Sequence, residues 1–373
     1  YNAIDPINAP KMFFLVITAF VCGSLGVFFR KELRLAELKV HVILLLLFLL
    51  QMLIVMFFSG SNVSVQFFGT FGRNTGFLTY FSLAIIFYFS AHASINGSTK
   101  YLLNSLTVVL TISGVYGGIQ ALGLDPIPWD NIFSPVIGFL GNPNFQSAFI
   151  GILGTFAFTL IFDSSLGRMR RSLLSLLMIF TLFGIYSTNS WQGFFNLAAG
   201  IGVALVLLLF RINQTKLAAA TLSIGVLGSI IVALGILNFG PLAPILTKAS
   251  LAARRLYWEA AVNLMGKEPL LGIGFDGFGD WYRRSWPGVS GVTDTAHNVP
   301  LDIGASGGFP LLVLHLAIIG FALLSIIKVV KRKGDFDVYF AAIVAAWVAY
   351  QAQSIISINQ LGLGVWGWSL TGL

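Results

Sequence analysis

Charge is what this sequence has least of. Only 10% of its 373 residues are Asp, Glu, Lys or Arg, where a soluble domain carries about a quarter. A water-soluble globular protein is therefore excluded. Cysteine is nearly absent: Cys22 stands alone in an apolar run, which rules out a disulfide framework and any thiolate metal site. Other metal patterns are missing too, with no HExxH, no DxD and no acidic pair at ligand spacing in an extracytoplasmic loop. A net charge of +8 suggests nucleic acid, but the basic residues sit in short loops between apolar runs, where membrane topology accounts for them better. No internal repeat, low-complexity tract, signal peptide or soluble domain is visible. The chain starts at Tyr1 without Met and stops inside an apolar run at Leu373, so further residues are expected beyond its ends.

Apolar surface is what the chain has in abundance. Hydrophobic residues make up 57% of it, with 34 Phe and 8 Trp, and the mean hydropathy is +0.87. A bilayer crossing takes about 20 apolar residues. Such runs recur at 12–29, 40–58, 76–95, 102–122, 145–162, 173–187, 194–210, 217–239, 309–327 and 338–358, and another begins near Leu361. The expected fold is an all-α polytopic membrane protein with about 11 or more transmembrane helices. It reads as one transmembrane domain over 1–373, with a long loop at 240–308 between spans eight and nine.

The basic residues divide unequally. Arg30, Lys31, Arg34, Arg168, Arg170, Arg171, Arg211, Lys216, Lys328, Lys331, Arg332 and Lys333 fall on one side of the alternating loops. The smaller set on the other side includes Arg73 and, in or next to the long loop, Lys248, Arg254, Arg255, Lys267, Arg283 and Arg284. Short loops set orientation and long ones count for little, so the first set faces the cytoplasm and the long loop faces outward.

That loop carries most of the polar chemistry. Ser250 caps a predicted helix over 251–265, with Gly266 just past its end and Pro269 preventing continuation. On this helix Arg254 and Trp258 share a face, and Arg255 and Glu259 share another as an ordinary surface pair. Arg254 has no acidic residue at helical spacing. A guanidinium above an indole at headgroup depth suits bidentate phosphate, or simply lipid headgroups; spacing leaves both open. Gly272-Ile273-Gly274-Phe275-Asp276-Gly277-Phe278-Gly279 looks like a phosphate cradle but lacks the strand–turn–helix setting of one, so a backbone bend is the better reading. Asp276 and Asp280 read as turn residues. Arg283 and Arg284 either add positive field for an anionic substrate or touch headgroups.

His297 is the strongest single candidate. It lies between Asp294 and Asn298, just before Pro300, which suits the first turn of a helix. Helix N-termini favour anions, and an imidazole can take a proton from a hydroxyl nucleophile. His41, His92 and His315 look structural by position. Earlier in the chain, Gly141-Asn142-Pro143-Asn144 reads as a capped corner opening span five.

Taken in order, Phe68-Gly69-Thr70-Phe71-Gly72-Arg73-Asn74-Thr75-Gly76, Gly141-Asn142-Pro143-Asn144, Arg254-Arg255-Leu256-Tyr257-Trp258, Pro269-Leu270-Leu271-Gly272-Ile273-Gly274 and Ala296-His297-Asn298 resemble the O-antigen ligase and polymerase superfamily. The resemblance covers most of the chain and is best over 141–320. It implies a helical glycosyltransferase of the GT-C type in a bacterial inner membrane, with its active site on the periplasmic side. Such enzymes move a glycan from undecaprenyl diphosphate to a hydroxyl of a glycolipid, a glycan or a protein, without metal, cofactor or nucleotide sugar. By the same resemblance Arg254 binds the diphosphate and His297 activates the acceptor hydroxyl; Arg73, Arg255, Trp258, Arg283, Arg284 and Asn298 are the further residues expected to bind substrate around the cavity. One position departs: where many members carry Ser-Arg between spans six and seven, this chain has Ser190-Trp191-Gln192. Arg73, Arg283 or Arg284 is then left to supply the second cation.

Ligase, polymerase and protein O-glycosyltransferase readings share this pattern. A bicarbonate-transport role, also found in the superfamily, calls for charged residues inside the spans, and these are nearly absent.

Overall fold

A computed structural model describes residues 7–127, 129, 136–246, 249–286, 293–332 and 336–373, without the side chains of 245, 246 and 249–252. Pro128, Asp130, Lys248, Lys333 and the Ser250 side chain lie outside the described residues. Every regular element among those described is helical. The α-helices are α1 (Asn8–Phe28), α2 (Lys39–Phe58), α3 (Val63–Phe68), α4 (Phe77–Ile95), α5 (Thr99–Ala121), α6 (Pro143–Leu160), α7 (Arg168–Ser187) and α8 (Gln192–Arg211). They continue with α9 (Thr215–Ile236), α10 (Ala243–Leu246), α11 (Ala249–Lys267), α12 (Phe278–Ser285), α13 (Val299–Lys331), α14 (Val338–Ile356) and α15 (Leu361–Gly372).

Nine of these described helices are long and apolar enough to cross a membrane, fewer than the expected number. Two expected spans fall short for different reasons. The first, α6, carries Gln146, Ser147, Thr155 and Thr159 and is buried along nearly its whole length, so neighbouring helices rather than lipid cover it. The other, α15, has only 12 residues. Conversely, Phe20 and Phe28 on α1 and Ile224 on α9 stand exposed, as side chains in contact with lipid must.

The expected long loop is mostly helix. The predicted helix over 251–265 runs over Ala249–Lys267 instead, so Ser250 is a helical residue and not its cap, and Gly266 lies inside. Glycine within a helix costs only about 1 kcal/mol, while Pro269 disfavours helical backbone just before it. The proline, not the glycine, sets the end. Arg168, Arg170 and Arg171, read as a loop, form the first turn of α7. α13 is broken at Gly308, whose φ is 72°, so a short helix from Val299 precedes the break and the ninth span resumes at Phe309, the expected start. The break turns the Phe309 amide toward the Pro269 carbonyl, 2.8 Å away.

The chain divides into two compact units. One comprises residues 93–226, 324–353 and 373, and within it α6 packs on α5, α7 and α8. Pro143 opens α6 and the Asn142 side chain accepts from the Asn144 amide at 2.9 Å, as the capped corner required. A Cβ on Gly151 would come within 2.6 Å of the Gly193 carbonyl oxygen, so α6 and α8 meet backbone to backbone, the small-residue packing of membrane helices. The Ser190 hydroxyl donates to Asn144 Oδ1 at 2.7 Å, joining the turn before α8 to the start of α6.

The second unit comprises residues 1–92, 227–323 and 354–372. Its core holds Phe48, Met52, Val55, Leu83 and Leu311 with Trp368. His41 lies against Phe321 and His315 against Phe48, aromatic settings consistent with packing roles. Every candidate site residue named from the sequence falls in this unit.

Candidate active site

Three segments build the site. The first is the loop 69–76 between α3 and α4, which carries Arg73. Gly69 has φ 84°, and a Cβ there would sit 2.4 Å from the Thr75 amide nitrogen, so the loop closes on itself only with glycine. Asp276 staples it from outside, accepting from the Thr70 amide and the Thr75 hydroxyl, both at 2.7 Å. The turn role expected of Asp276 is thus a long-range one. Burial raises its pKa, opposed by these hydrogen bonds and by the charge of Arg73.

The second segment follows α11. The Ile273 and Gly274 amides donate to the carbonyls of Ala305 and Ser306 at 3.1 and 2.9 Å. A Cβ on Gly272 would meet the Ala305 oxygen at 2.3 Å. The glycine-rich run is therefore a backbone bend pressed onto α13, as expected, with its amides committed to protein carbonyls. Phe278 and Tyr282 of α12 then pack with Ala260, Ala261 and Leu264 of α11, which fixes the face of α11 that carries Tyr257.

The third segment, 293–298, carries His297. Its φ of 52° is left-handed, an uncommon backbone state in which histidine is one of the enriched residues. Asn298 caps α13 by accepting from the Leu301 amide at 3.0 Å, and Asp302 reaches back to accept from the Ala296 amide at 2.8 Å. Among the described residues the ring's hydrogen-bond contacts are all to Nδ1. Nδ1 lies 3.3 Å from both the hydroxyl and the carbonyl oxygen of Thr295, and 3.5 Å from the Thr293 hydroxyl. A carbonyl only accepts, so this contact puts the proton on Nδ1 and leaves the Nε2 lone pair available. Tyr257 covers the ring, with centroids 5.4 Å apart.

Electrostatics sharpens the picture. Burial pushes the His297 pKa down to about 4; the charges of Arg254 and Arg73 push the same way, while the Thr295 contact and Asp294 oppose them. His297 is neutral at physiological pH. Arg254 is partly buried, and desolvation lowers its pKa, yet it keeps its charge. Its Nε and the Trp258 Nε1, one turn on, are buried without a hydrogen-bond partner among the described residues. Two orphaned donors on one helix face, one of them cationic, are expensive to bury and call for an acceptor.

The remaining candidates are partnered. Arg255 pairs with Glu259 at 2.7 Å, both well exposed, as expected of a surface pair. Arg283 pairs with Asp280, and Arg284 lies 3.8 Å from the same carboxylate. Asp294, passed over in the sequence, lies 3.4 Å from Arg73 and 3.7 Å from Arg283. A small cavity of about 20 Å³, lined by Arg73, Asp276, Thr295 and Asp302 among others, has room for roughly one water. Thr293, Thr295, Tyr257 and Asp302 were also missed as supports of His297. The spacing Asp294-Thr295-Ala296-His297 was visible, but only the fold turns Thr295 back onto the ring. Among the described residues no group of three or more His, Cys, Asp or Glu comes together.

A family model described as O-Antigen ligase matches residues 173–316. The matched stretch contains Arg254, Trp258, Arg283 and His297 and excludes Arg73. No curated protein matches the chain.

Proposed function

We propose that this membrane protein, whose residues 173–316 match the O-antigen ligase family, is a glycosyltransferase moving a glycan from undecaprenyl diphosphate to an acceptor hydroxyl. The observation that carries this reading is the partly buried Arg254–Trp258 face, whose Arg254 Nε and Trp258 Nε1 have no hydrogen-bond partner among the described residues, with a neutral His297 under the charge of Arg254. The donor's diphosphate supplies the missing acceptor atoms, and its charge matches Arg254. In the reaction the acceptor oxygen bonds to the anomeric carbon as the carbon–oxygen bond to the diphosphate breaks. The hydroxyl proton passes to His297 Nε2, and the departing charge is held by Arg254. Opposite-side attack inverts the anomeric centre.

A pKa near 4 makes His297 a weak base in the empty site. An anion at Arg254 offsets one of the cations that hold it down, so donor binding and base strength rise together. The protein sits in the inner membrane with 240–308 on the periplasmic face, as the division of basic residues supports.

The test is transfer in nanodiscs from an undecaprenyl-diphosphate glycan to each acceptor class, a glycolipid, a glycan and a protein hydroxyl, followed by mass spectrometry. One class is expected to be glycosylated, with Arg254→Ala weakening donor binding. Donor that binds but transfers to none of the three, or equal donor binding by Arg254→Ala, overturns the reading.

A further inference from the structure

Asp294 is placed like an anionic ligand. Its Oδ2 faces Arg73 at 3.4 Å and its Oδ1 faces Arg283 at 3.7 Å. One carboxylate oxygen per guanidinium, across two separate elements, is how a phosphate bridges two arginines. Yet both contacts are longer than the 2.7–2.9 Å of a charge-assisted hydrogen bond, a length that Arg255 and Glu259 reach at 2.7 Å. The Asp294 side chain is 45% exposed, so ions from solution can compete for its partners.

The two arginines are better anchored than the carboxylate between them. Arg73 rides on the loop that Asp276 staples. Arg283 is tied to Asp280 on its own helix, and a Cβ on Gly279 would come within 2.8 Å of Asp294 Cα, so α12 is seated against this backbone. The Asp294 carboxylate needs only a side-chain rotation to leave. Arg73 also shares an electrostatic neighbourhood with Arg254, since both act on His297. A diphosphate has two anionic groups, and Arg254 with Trp258 accounts for one.

We propose that Arg73 and Arg283 form a second phosphate site, and that Asp294 fills it until a diphosphate displaces the carboxylate. This rests on the donor reading above and supplies the second cation that Trp191 does not.

The probe is inorganic pyrophosphate, with binding to the full chain in detergent measured by calorimetry and folding checked by thermal unfolding. Asp294→Asn is expected to bind pyrophosphate about three- to tenfold more tightly, the effect of removing two exposed competing pairs. Asp294→Glu, which keeps the competitor, stays near the native affinity. Arg73→Gln and Arg283→Gln each weaken binding, and this arm stands if Asp294→Asn fails to fold. Unchanged or weaker binding by folded Asp294→Asn, or native affinity in both arginine variants, overturns the proposal. If Arg254→Ala alone abolishes binding while Arg73→Gln and Arg283→Gln bind normally, the donor reading stands and the second site falls. If Arg254→Ala binds pyrophosphate and donor normally, the donor reading itself fails.

Discussion

The rings of His297 and Tyr257 lie with centroids 5.4 Å apart and planes inclined by 37°. Tyr257 belongs to the same helix as Arg254, three residues on, so one rigid element carries both the phosphate-binding candidate and the wall behind the imidazole. Tyr257→Phe keeps that wall and is expected to transfer normally. Tyr257→Ala frees the ring and is expected to lower turnover with donor affinity preserved. His297→Ala and His297→Gln are expected to lose about 10²–10⁴-fold in single-turnover rate with donor binding intact. Near-native turnover by His297→Gln would show that the residue orients the acceptor and is not its base.

The pH profile follows from the depressed imidazole pKa. Neutral His297 is the active form, and in the free enzyme it persists down to about pH 4. Transfer under kcat/KM conditions is expected to stay flat from about pH 8 to 5.5, where an ordinary histidine with pKa about 6.5 would already lose most of its neutral form. Saturating donor raises the pKa, so the kcat profile falls at higher pH than the kcat/KM profile. Coincident profiles breaking near 6.5 would mean that neither burial nor the charges of Arg254 and Arg73 hold the His297 pKa down.

Chelation separates a metal-free reaction from one with an unrecognised ion. The extracytoplasmic loops carry no ligand spacing for a divalent cation, and Arg254 is assigned the charge that Mg²⁺ supplies elsewhere. Transfer is expected to be unchanged by EDTA. Loss on chelation with recovery on adding Mg²⁺ or Mn²⁺ would remove that assignment.

Orientation is testable in a Cys22→Ala background with an impermeant maleimide. A cysteine at Arg284, which is 80% exposed, is expected to label in intact spheroplasts. A cysteine at Arg170 is expected to label only after permeabilisation. Labelling of position 170 from outside inverts the map and places the site on the wrong side for a lipid-linked donor.

Membrane residence, helical class and the sites of most spans were determined by the sequence alone. In lipid every backbone polar group must be satisfied within a helix, so apolar runs of this length admit little else. The Asn142–Pro143 corner and the start of α13 after His297 were legible for a similar reason, since caps act on neighbours in sequence. So was the candidacy of Arg254 and His297, as residue types scarce in an apolar chain. Tertiary structure alone decided which charges are already spent. Arg73 and Arg283, with Arg284, were left open by the sequence as a second cation beside Arg254. Folding gives the first two to Asp294 and Asp280 and leaves Arg254 with no acceptor for its Nε among the described residues. It also brings Thr295 onto one imidazole nitrogen, clearing the other, and uses Asp276 to fasten a loop some 200 residues away in the chain. Coulomb and hydrogen-bond partners are chosen by distance in space, which no spacing along the chain encodes.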